Sequence, residues 1–346
     1  MKTRDGYIDA LRGLAMLMVV FVHVEGFSLF IEEFHITILR RICEAVMLPL
    51  FFFISGFVSK RGSKLIERSL RLLIPAFVVG IIHSLTINKD IVSFIHNIYK
   101  YGYWYTITLF EMQILLFGIT KISCKQNRIV LLLTAVSILL YVTKIPFNNI
   151  SNLKHIGDTL CFHQLFIYFH FFSVGYILSS CKNIFNKILN SDLSILSSIL
   201  IFFAAVFVKY TYTEEELASN IILKIYRFIQ DPLLGYTGII ILFSLFNSCR
   251  ETLSNTISGK ALSIIGRHTL EIYLLHYFFL PTLPKIGIYL VNYPNLILEL
   301  LVVVILSMGV IFTSLLLGKI IKVNNILGFI LLGEKPNFLL ETKKDR

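Results

Sequence analysis

Residues 9–27 read DALRGLAMLMVVFVHVEGF, a run long and apolar enough to cross a lipid bilayer as one helix. Four ionisable residues interrupt this run, namely Asp9, Arg12, His23 and Glu25. An ionisable side chain inside a bilayer costs about 2.5–3.5 kcal/mol on insertion scales, so it is normally satisfied by other helices or used chemically. The stretch therefore predicts a membrane helix that carries a polar site.

A cleavable signal peptide is the alternative for this segment, because Lys2 and Arg4 precede an apolar stretch. Arg12 and His23 interrupt that stretch, however, and no small-x-small cleavage pattern follows it. We therefore interpret the segment as a retained first helix of the protein.

The rest of the chain also has the composition of an integral membrane protein. Of its 346 residues, 56% are hydrophobic and only 15% are charged, and the mean hydropathy is +0.76. This composition excludes a soluble cytosolic enzyme. Apolar runs bounded by charged or turn residues predict about ten spans. They cover residues 11–30, 42–59, 72–87, 103–120, 129–142, 160–180, 193–208, 233–247, 262–280 and 296–318.

The net charge of +11 fits basic cytoplasmic loops beside anionic lipid better than a nucleic-acid partner. An inverted orientation would place the basic cluster of residues 60–71 outside, against the positive-inside rule. We therefore expect an all-α polytopic membrane helix bundle with both termini cytoplasmic. It forms a single domain over residues 1–346, with a core at about 8–318 and a cytoplasmic tail at 319–346.

The five cysteines show neither a CxxC pair nor a metal-ligand spacing, so we expect no metal site. Cys43 and Cys161 both fall near the outer ends of spans, which leaves a disulfide between them open. Otherwise all five cysteines are interpreted as small apolar packing residues.

The spacing of Arg12 and His23 carries the first functional prediction. They are 11 positions apart, which at 100° per residue is three turns plus about 20°, with an axial separation of about 16 Å. Asp9 precedes Arg12 by three and shares its face. One long ligand could therefore lie along the helix, with an anionic end at Arg12 and a reactive end at His23. In the alternative reading, Arg12 is a positive-inside anchor and His23 a core histidine.

Two further islands combine aromatic and ionisable residues. GRHTLEIYLLHYFFLP, residues 266–281, places Tyr273 and His276 on one helix face. YGYWYTITLFEMQ, residues 101–113, contains Trp104 at a span boundary and Glu111 within the span. Aromatic residues at a span end are also typical of an interfacial belt.

A third island, PLFFFISGFVSKR at residues 49–61, is followed by a basic stretch that includes Arg68 and Arg71. Ser55 is not in a GxSxG elbow, so a serine-hydrolase interpretation is weak. The basic stretch could bind an anionic co-substrate or could only determine topology.

The order of these motifs resembles the acyltransferase-3 family of integral-membrane O-acyltransferases. It comprises DxLRG, ten residues between Arg12 and His23, FFFISGF, a basic stretch ending at Pro75, a Trp-Tyr pair, FFSVGY and GRHTLEIYLLH. The resemblance implies transfer of an acyl group, commonly acetyl, from cytoplasmic acyl-CoA to a hydroxyl of a cell-surface carbohydrate such as O-antigen, capsule or exopolysaccharide. It also implies a multi-pass protein of the bacterial inner membrane, with membrane lipid and a lipid-linked or surface glycan as partners. Because the chain ends after the last span, a stand-alone member without the family's esterase-like domain is expected.

In that family the Arg-x10-His pair is the functional signature, and it falls on Arg12 and His23. We expect His23 to act as general base, since a neutral imidazole can remove a hydroxyl proton at physiological pH. We expect Arg12 to hold the donor, with Asp9 fixing Arg12 and with Arg68 and Arg71 as further phosphate partners. Contacts on the acceptor side are expected from Trp104, Glu111, Tyr273 and His276.

Several alternatives stay open. A covalent acyl-His23 intermediate would replace direct transfer. A transporter or flippase would also have many spans, buried charges and basic inner loops, although no paired repeat of broken helices is evident. A non-catalytic partner in polysaccharide assembly would tolerate substitution of Arg12 and His23. No permanently bound cofactor is expected, with acetyl-CoA or another acyl-CoA serving as co-substrate.

Overall fold

The computed structural model of the chain describes residues 6–31, 37–59, 65–87, 89–123, 125–149, 151–211 and 221–335. Over these residues every regular element is helical. The α-helices, in chain order, are α1 (Gly6–His23), α2 (Ile38–Phe57), α3 (Leu65–Thr86), α4 (Ile91–His96), α5 (Trp104–Ile122), α6 (Gln126–Asn149), α7 (Ser151–Leu160), α8 (Phe162–Ser180), α9 (Lys182–Leu189), α10 (Asp192–Thr211), α11 (Ile221–Ser248), α12 (Arg250–Asn255), α13 (Ile257–Arg267), α14 (Thr269–Leu275), α15 (Pro284–Asn292), α16 (Leu296–Ile321) and α17 (Asn325–Leu332). A π-helical turn spans Val24–Ser28, and 3-10 turns span Lys100–Gly102 and His276–Phe279.

The prediction of an all-α membrane protein is confirmed. In the described part of the chain, 6 helices are long and apolar enough to cross a membrane, and 2 bent helix pairs raise the number to 8 if each pair is one span. The six are Gly6–Ser28, Trp104–Ile122, Gln126–Lys144, Asp192–Lys209, Phe228–Ser248 and Leu296–Ile321. Length and composition thus give six to eight spans, where the sequence suggested about ten.

Two helix pairs are sharply bent, and the second bend contains proline residues that cannot continue a helix. Phe162–Ser180 meets Lys182–Leu189 at 105°, and Thr269–Phe279 meets Pro284–Asn292 at 92°. The second break includes Pro281 and ends with Pro284 in the first turn of α15, where proline is tolerated because no amide donor is needed.

The prediction of one helix over residues 262–280 is wrong. The helix is interrupted at His268, whose φ of −109° and ψ of 20° are not helical, and α14 begins at the next residue. His268 donates its N–H to the carbonyls of both Ile264 and Ile265, which closes the last turn of α13. An apolar pattern does not reveal such a cap.

The chain folds into two compact units. The first comprises Met1–Ile54, Leu178–Thr269 and Leu280–Ile311, and the second comprises Ser55–Ile177, Leu270–Phe279 and Phe312–Arg346.

In the first unit, α1 packs against α13 at very short range. A Cβ on Gly13 would lie 2.0 Å from the Leu262 carbonyl oxygen, and a Cβ on Gly266 would lie 1.7 Å from the Asp9 carbonyl oxygen. Small residues let membrane helices approach until their backbones touch. The two glycines therefore fix the position of the helix that carries Arg12 and His23.

In the second unit, α17 is held against α3. Arg71 Nε donates a hydrogen bond of 2.6 Å to the Gly333 carbonyl, and Gly333 ends α17 with a φ of 67°. A buried cluster in the same unit consists of Val79, Phe94, Tyr103, Leu274, Leu275 and Leu332. This packing positions the start of α5 and the end of α14.

The cysteines of the described residues form no disulfide. Cys43, Cys161, Cys181 and Cys249 are free thiols. Cys124 lies outside the described residues. The disulfide that the sequence left open between Cys43 and Cys161 is therefore not formed in this structure.

Candidate functional site

Arg12 and His23 lie on one uninterrupted α-helix, α1, in the first unit. The continuous helix keeps them about 16 Å apart along the axis and on nearly the same face. Both side chains are half-buried. Asp9 is only 5% exposed and lies in the first turn of α1, where the helix dipole favours a carboxylate. The helix thus presents an acid, a cation and an imidazole in that order.

The α-helical hydrogen bonding changes immediately after His23. Val24–Ser28 forms a π-helical turn, and the His23 ring lies 5.6 Å from the Phe27 ring. Single π turns inside α-helices are rare and occur often at functional sites. The helix geometry therefore changes at the residue expected to perform the chemistry.

A charged cluster follows His23 in the first unit and consists of buried Glu25 and Glu299 with half-buried Arg40 and Glu44. Glu25 is 0% exposed and Glu299 is 8% exposed. Arg40 Nε lies 3.8 Å from Glu25 Oε2 and donates to Glu44 Oε1 at 2.8 Å. Glu25 was recognised from the sequence, whereas Arg40, Glu44 and Glu299 were not. The i, i+4 spacing of Arg40 and Glu44 was the available signal.

Replacing Arg40 by glutamine is expected to destabilise the protein by about 3 kcal/mol, because it removes the cation that lies 3.8 Å from the fully buried Glu25 carboxylate. The free energy of unfolding of the purified variant in detergent measures the effect. Lys209→Gln is the matched control, since the 2.8 Å ion pair between Lys209 and Asp231 is exposed to solvent. We expect that control to change stability by less than about 1 kcal/mol. Equal effects of both substitutions would contradict the assigned role of Arg40.

Gly266→Ala is expected to destabilise the first unit by about 3 kcal/mol, because the added methyl group collides with backbone rather than with a movable side chain. Gly118→Ala is the control, since a Cβ at Gly118 would meet no atom within 4 Å. Thermal unfolding in detergent compares the two variants. A Gly266→Ala variant as stable as Gly118→Ala would show that α1 and α13 are not packed as described.

The second unit contains an aromatic cluster at the start of α5. Trp104 stacks on Tyr168 with ring centroids 5.9 Å apart, and Tyr105 lies 5.6 Å from Tyr273. The Tyr273 hydroxyl donates to the Gly102 carbonyl at 2.8 Å and accepts the Tyr105 N–H at 3.2 Å. The structure thus brings Trp104 and Tyr273 into one cluster. Tyr168 was missed, because it lies in a uniformly aromatic run without a distinguishing pattern.

His276 is fully enclosed in the second unit. It is 0% exposed, and its Nδ1 lies 2.9 Å from the Tyr273 carbonyl and 3.0 Å from the Ile272 carbonyl. Its ring centroid is 4.1 Å from that of Tyr277. Because a carbonyl oxygen only accepts hydrogen bonds, Nδ1 carries a proton and donates it to these two carbonyls. His276 is therefore a buried packing residue next to the aromatic cluster, in contact with the Tyr277 ring.

A left-handed turn precedes Trp104. Lys100, Tyr101 and Gly102 have φ values of 47°, 48° and 103°. Lys100 is 1% exposed, and its Nζ donates to the carbonyls of Asn97 and Asp158 at 2.8 and 2.7 Å. Burial lowers the pKa of Lys100, and nearby acidic groups oppose that shift. Backbone strain of this kind persists only where the surroundings enforce it, and it often accompanies function.

Glu111 is half-buried on α5. Its Oε2 atom is buried and has no hydrogen-bond partner in the described part of the chain. Glu111 is one of the acidic groups that oppose the lowering of the Lys100 pKa. Glu111 was identified from the sequence, whereas Lys100 was not, because a lysine in a turn is normally exposed to solvent.

Of the two arginines expected to bind donor phosphates, only Arg71 has a described side chain. Arg71 is half-buried and uses Nε to hold the Gly333 carbonyl. The side chain of Arg68 lies outside the described residues. Among the expected site residues, the first unit contains Asp9, Arg12 and His23, and the second contains Arg71, Trp104, Glu111, Tyr273 and His276.

A family model described as “Acyltransferase domain”, of the acyltransferase-3 type, matches residues 5–318. The matched range includes all residues predicted to form the site. The searches of curated proteins and of solved structures gave no match.

Proposed function

Because the chain belongs to the acyltransferase-3 family and is a membrane acyltransferase, we propose that it transfers an acetyl group from cytoplasmic acyl-CoA to a hydroxyl of a cell-surface or lipid-linked carbohydrate. The single observation that carries this proposal is the placement of Arg12 and His23 on one continuous helix. A pantetheine arm is long and flexible, so an axial separation of about 16 Å suits a donor held at one end and reacting at the other.

The proposed chemistry is direct acyl transfer. The acceptor hydroxyl attacks the thioester carbonyl, a C–O bond forms and the C–S bond breaks. His23 takes the hydroxyl proton as general base and returns it to the departing CoA thiolate. Arg12 binds a phosphate or carbonyl oxygen of the donor. An acyl-His23 intermediate is the variant in which the imidazole itself attacks the thioester.

The other assigned residues have supporting roles in this proposal. Asp9 is buried beside α13 and orients Arg12, while Arg68 and Arg71 add positive charge for the donor. Trp104 and Tyr273 offer aromatic faces to a sugar ring, and Glu111 offers a carboxylate oxygen to a sugar hydroxyl. His276 contributes by holding Tyr273 and Tyr277 in place.

The proposal includes ten spans with both termini in the cytoplasm of a bacterial inner membrane. Counting α2 and the apolar part of α3, Arg71–Thr86, adds two spans to the eight obtained with the bent pairs. The positive-inside rule supports the orientation, because the basic cluster at residues 60–71 then faces anionic lipid. The acyl donor and the acceptor would thus reach the site from opposite sides of the membrane.

A transporter or flippase is the second candidate function, and one observation favours it. The two helix pairs bent by 105° and 92° resemble the broken helices that line transporter sites. Such a protein would move a glycan or an anionic solute without changing it chemically.

One experiment separates the two functions. Purified protein in nanodiscs is mixed with acetyl-CoA and membranes that carry the native glycan, and both thermal stability and free CoA are measured. Acetyl-CoA should raise the unfolding temperature, and CoA should be released only when glycan is present. Uptake of solute into proteoliposomes without CoA release would favour the transporter.

A further inference from the structure

A cavity of about 160 Å³ lies at the start of α1, within the first unit. We call it the α1 cavity. Its lining comprises Gly6, Tyr7, Arg250, Leu253, Ser254 and Ser263. These residues come from the first turn of α1, from α12 and from α13. None of these residues was assigned to a site from the sequence.

Arg250 gives the α1 cavity its charge. Its guanidinium lies 3.9 Å from the centroid of the Tyr7 ring. In the described residues it forms no hydrogen bond or ion pair in addition to this contact. An arginine held over an aromatic ring keeps its fork of N–H donors available for a planar or tetrahedral anion. The arrangement is therefore suited to phosphate.

Two serine hydroxyls complete the polar lining. Ser263 Oγ donates to the Gly6 carbonyl at 3.4 Å, and Ser254 Oγ donates to the Glu251 carbonyl at 2.8 Å. A hydroxyl can rotate to donate to a bound oxygen instead. None of the described residues that line the cavity is acidic, so nothing in the lining repels an anion.

We propose that the α1 cavity binds the phosphate groups at the nucleotide end of the acyl-CoA donor, an inference that rests on the proposed function. Tyr7, Arg12 and His23 follow one another along α1, with Tyr7 about 8 Å before Arg12 and about 24 Å before His23. Tyr7 also lies about 140° around the helix from Arg12, so a donor that reaches both positions bends around α1 between them. The nucleotide of the donor then lies near Tyr7, its pantetheine arm near Arg12 and its thioester near His23.

The test measures CoA affinity of the purified full-length protein in nanodiscs of a zwitterionic phospholipid. Arg250→Gln should weaken CoA binding by about 10- to 100-fold, the usual effect of losing a charged hydrogen-bond donor. Arg250→Lys should weaken it less, because the charge remains while the planar fork is lost. Lys260→Gln is the matched control, since Lys260 is exposed on α13 and does not line the cavity.

A phospholipid headgroup carries the same phosphate chemistry, so a second arm compares nanodiscs with and without anionic lipid. Anionic lipid should stabilise wild-type protein and Arg250→Gln equally. Loss of that stabilisation in Arg250→Gln with unchanged CoA affinity would assign the cavity to lipid and overturn the proposal. Equal CoA affinity of wild type and Arg250→Gln would also overturn it. Failure of wild-type protein to bind CoA would instead refute the proposed donor itself.

Discussion

The His23→Ala variant is expected to lose acyl transfer by about 10²- to 10⁴-fold in kcat, the usual contribution of a positioned general base. The reason is chemical, because a sugar hydroxyl is a poor nucleophile until its proton is removed. The rate of transfer of labelled acetyl from acetyl-CoA to membranes carrying the native acceptor measures the effect. Donor affinity should remain nearly unchanged, since Arg12 is untouched.

His163→Ala is the matched control for this variant. His163 is also half-buried on a membrane helix, α8, and has no role in the proposed chemistry. We expect it to retain at least about a tenth of wild-type activity, since substitutions away from a reacting centre act mainly through stability. Full activity of His23→Ala at matched membrane levels would remove His23 from the mechanism.

Arg12→Gln is expected to raise the KM for acyl-CoA by about 10- to 100-fold, with a smaller loss in kcat. The expectation follows from the position of Arg12, which lies about 16 Å along the helix axis from His23. Its half-buried guanidinium can therefore bind the donor without touching the reacting carbonyl. Arg12→Lys should fall between wild type and Arg12→Gln, since lysine keeps the charge but not the fork.

The control for Arg12 is Arg128→Gln, which removes an equal charge from an exposed position at the start of α6. Initial rates over a range of acetyl-CoA concentrations separate KM from kcat for each variant. A change in kcat alone for Arg12→Gln would place Arg12 at the reacting centre. Unchanged kinetics would show that Arg12 is only a topological anchor.

The sequence was sufficient to predict the fold class and the first helix, for a simple physical reason. Helical hydrogen bonds are local, and a bilayer demands a continuous apolar run, so both leave a pattern in residues 9–27. The same locality explains why the spacing of Arg12 and His23 translates directly into a shared face.

Other features depend on contacts between distant segments and left no local pattern. The π-helical turn after His23 ends where the Leu283 N–H donates to the Ser28 carbonyl at 2.8 Å, a contact between residues far apart in sequence. Arg40 and Glu299 meet Glu25 only after folding, and the break at His268 lies inside an apolar run. Arg250 over Tyr7 likewise joins two segments that the sequence separates widely.

The proposed acylation of a cell-surface glycan depends on His23. Mass spectrometry of surface glycans tests it in four strains: gene intact, gene deleted, and the deletion complemented with wild type or with His23→Ala at matched membrane levels. We predict that the mass increment of one acyl group is present in the intact and wild-type-complemented strains and is missing from the other two. A glycan mass unchanged by deletion, or restored by His23→Ala, would contradict the account.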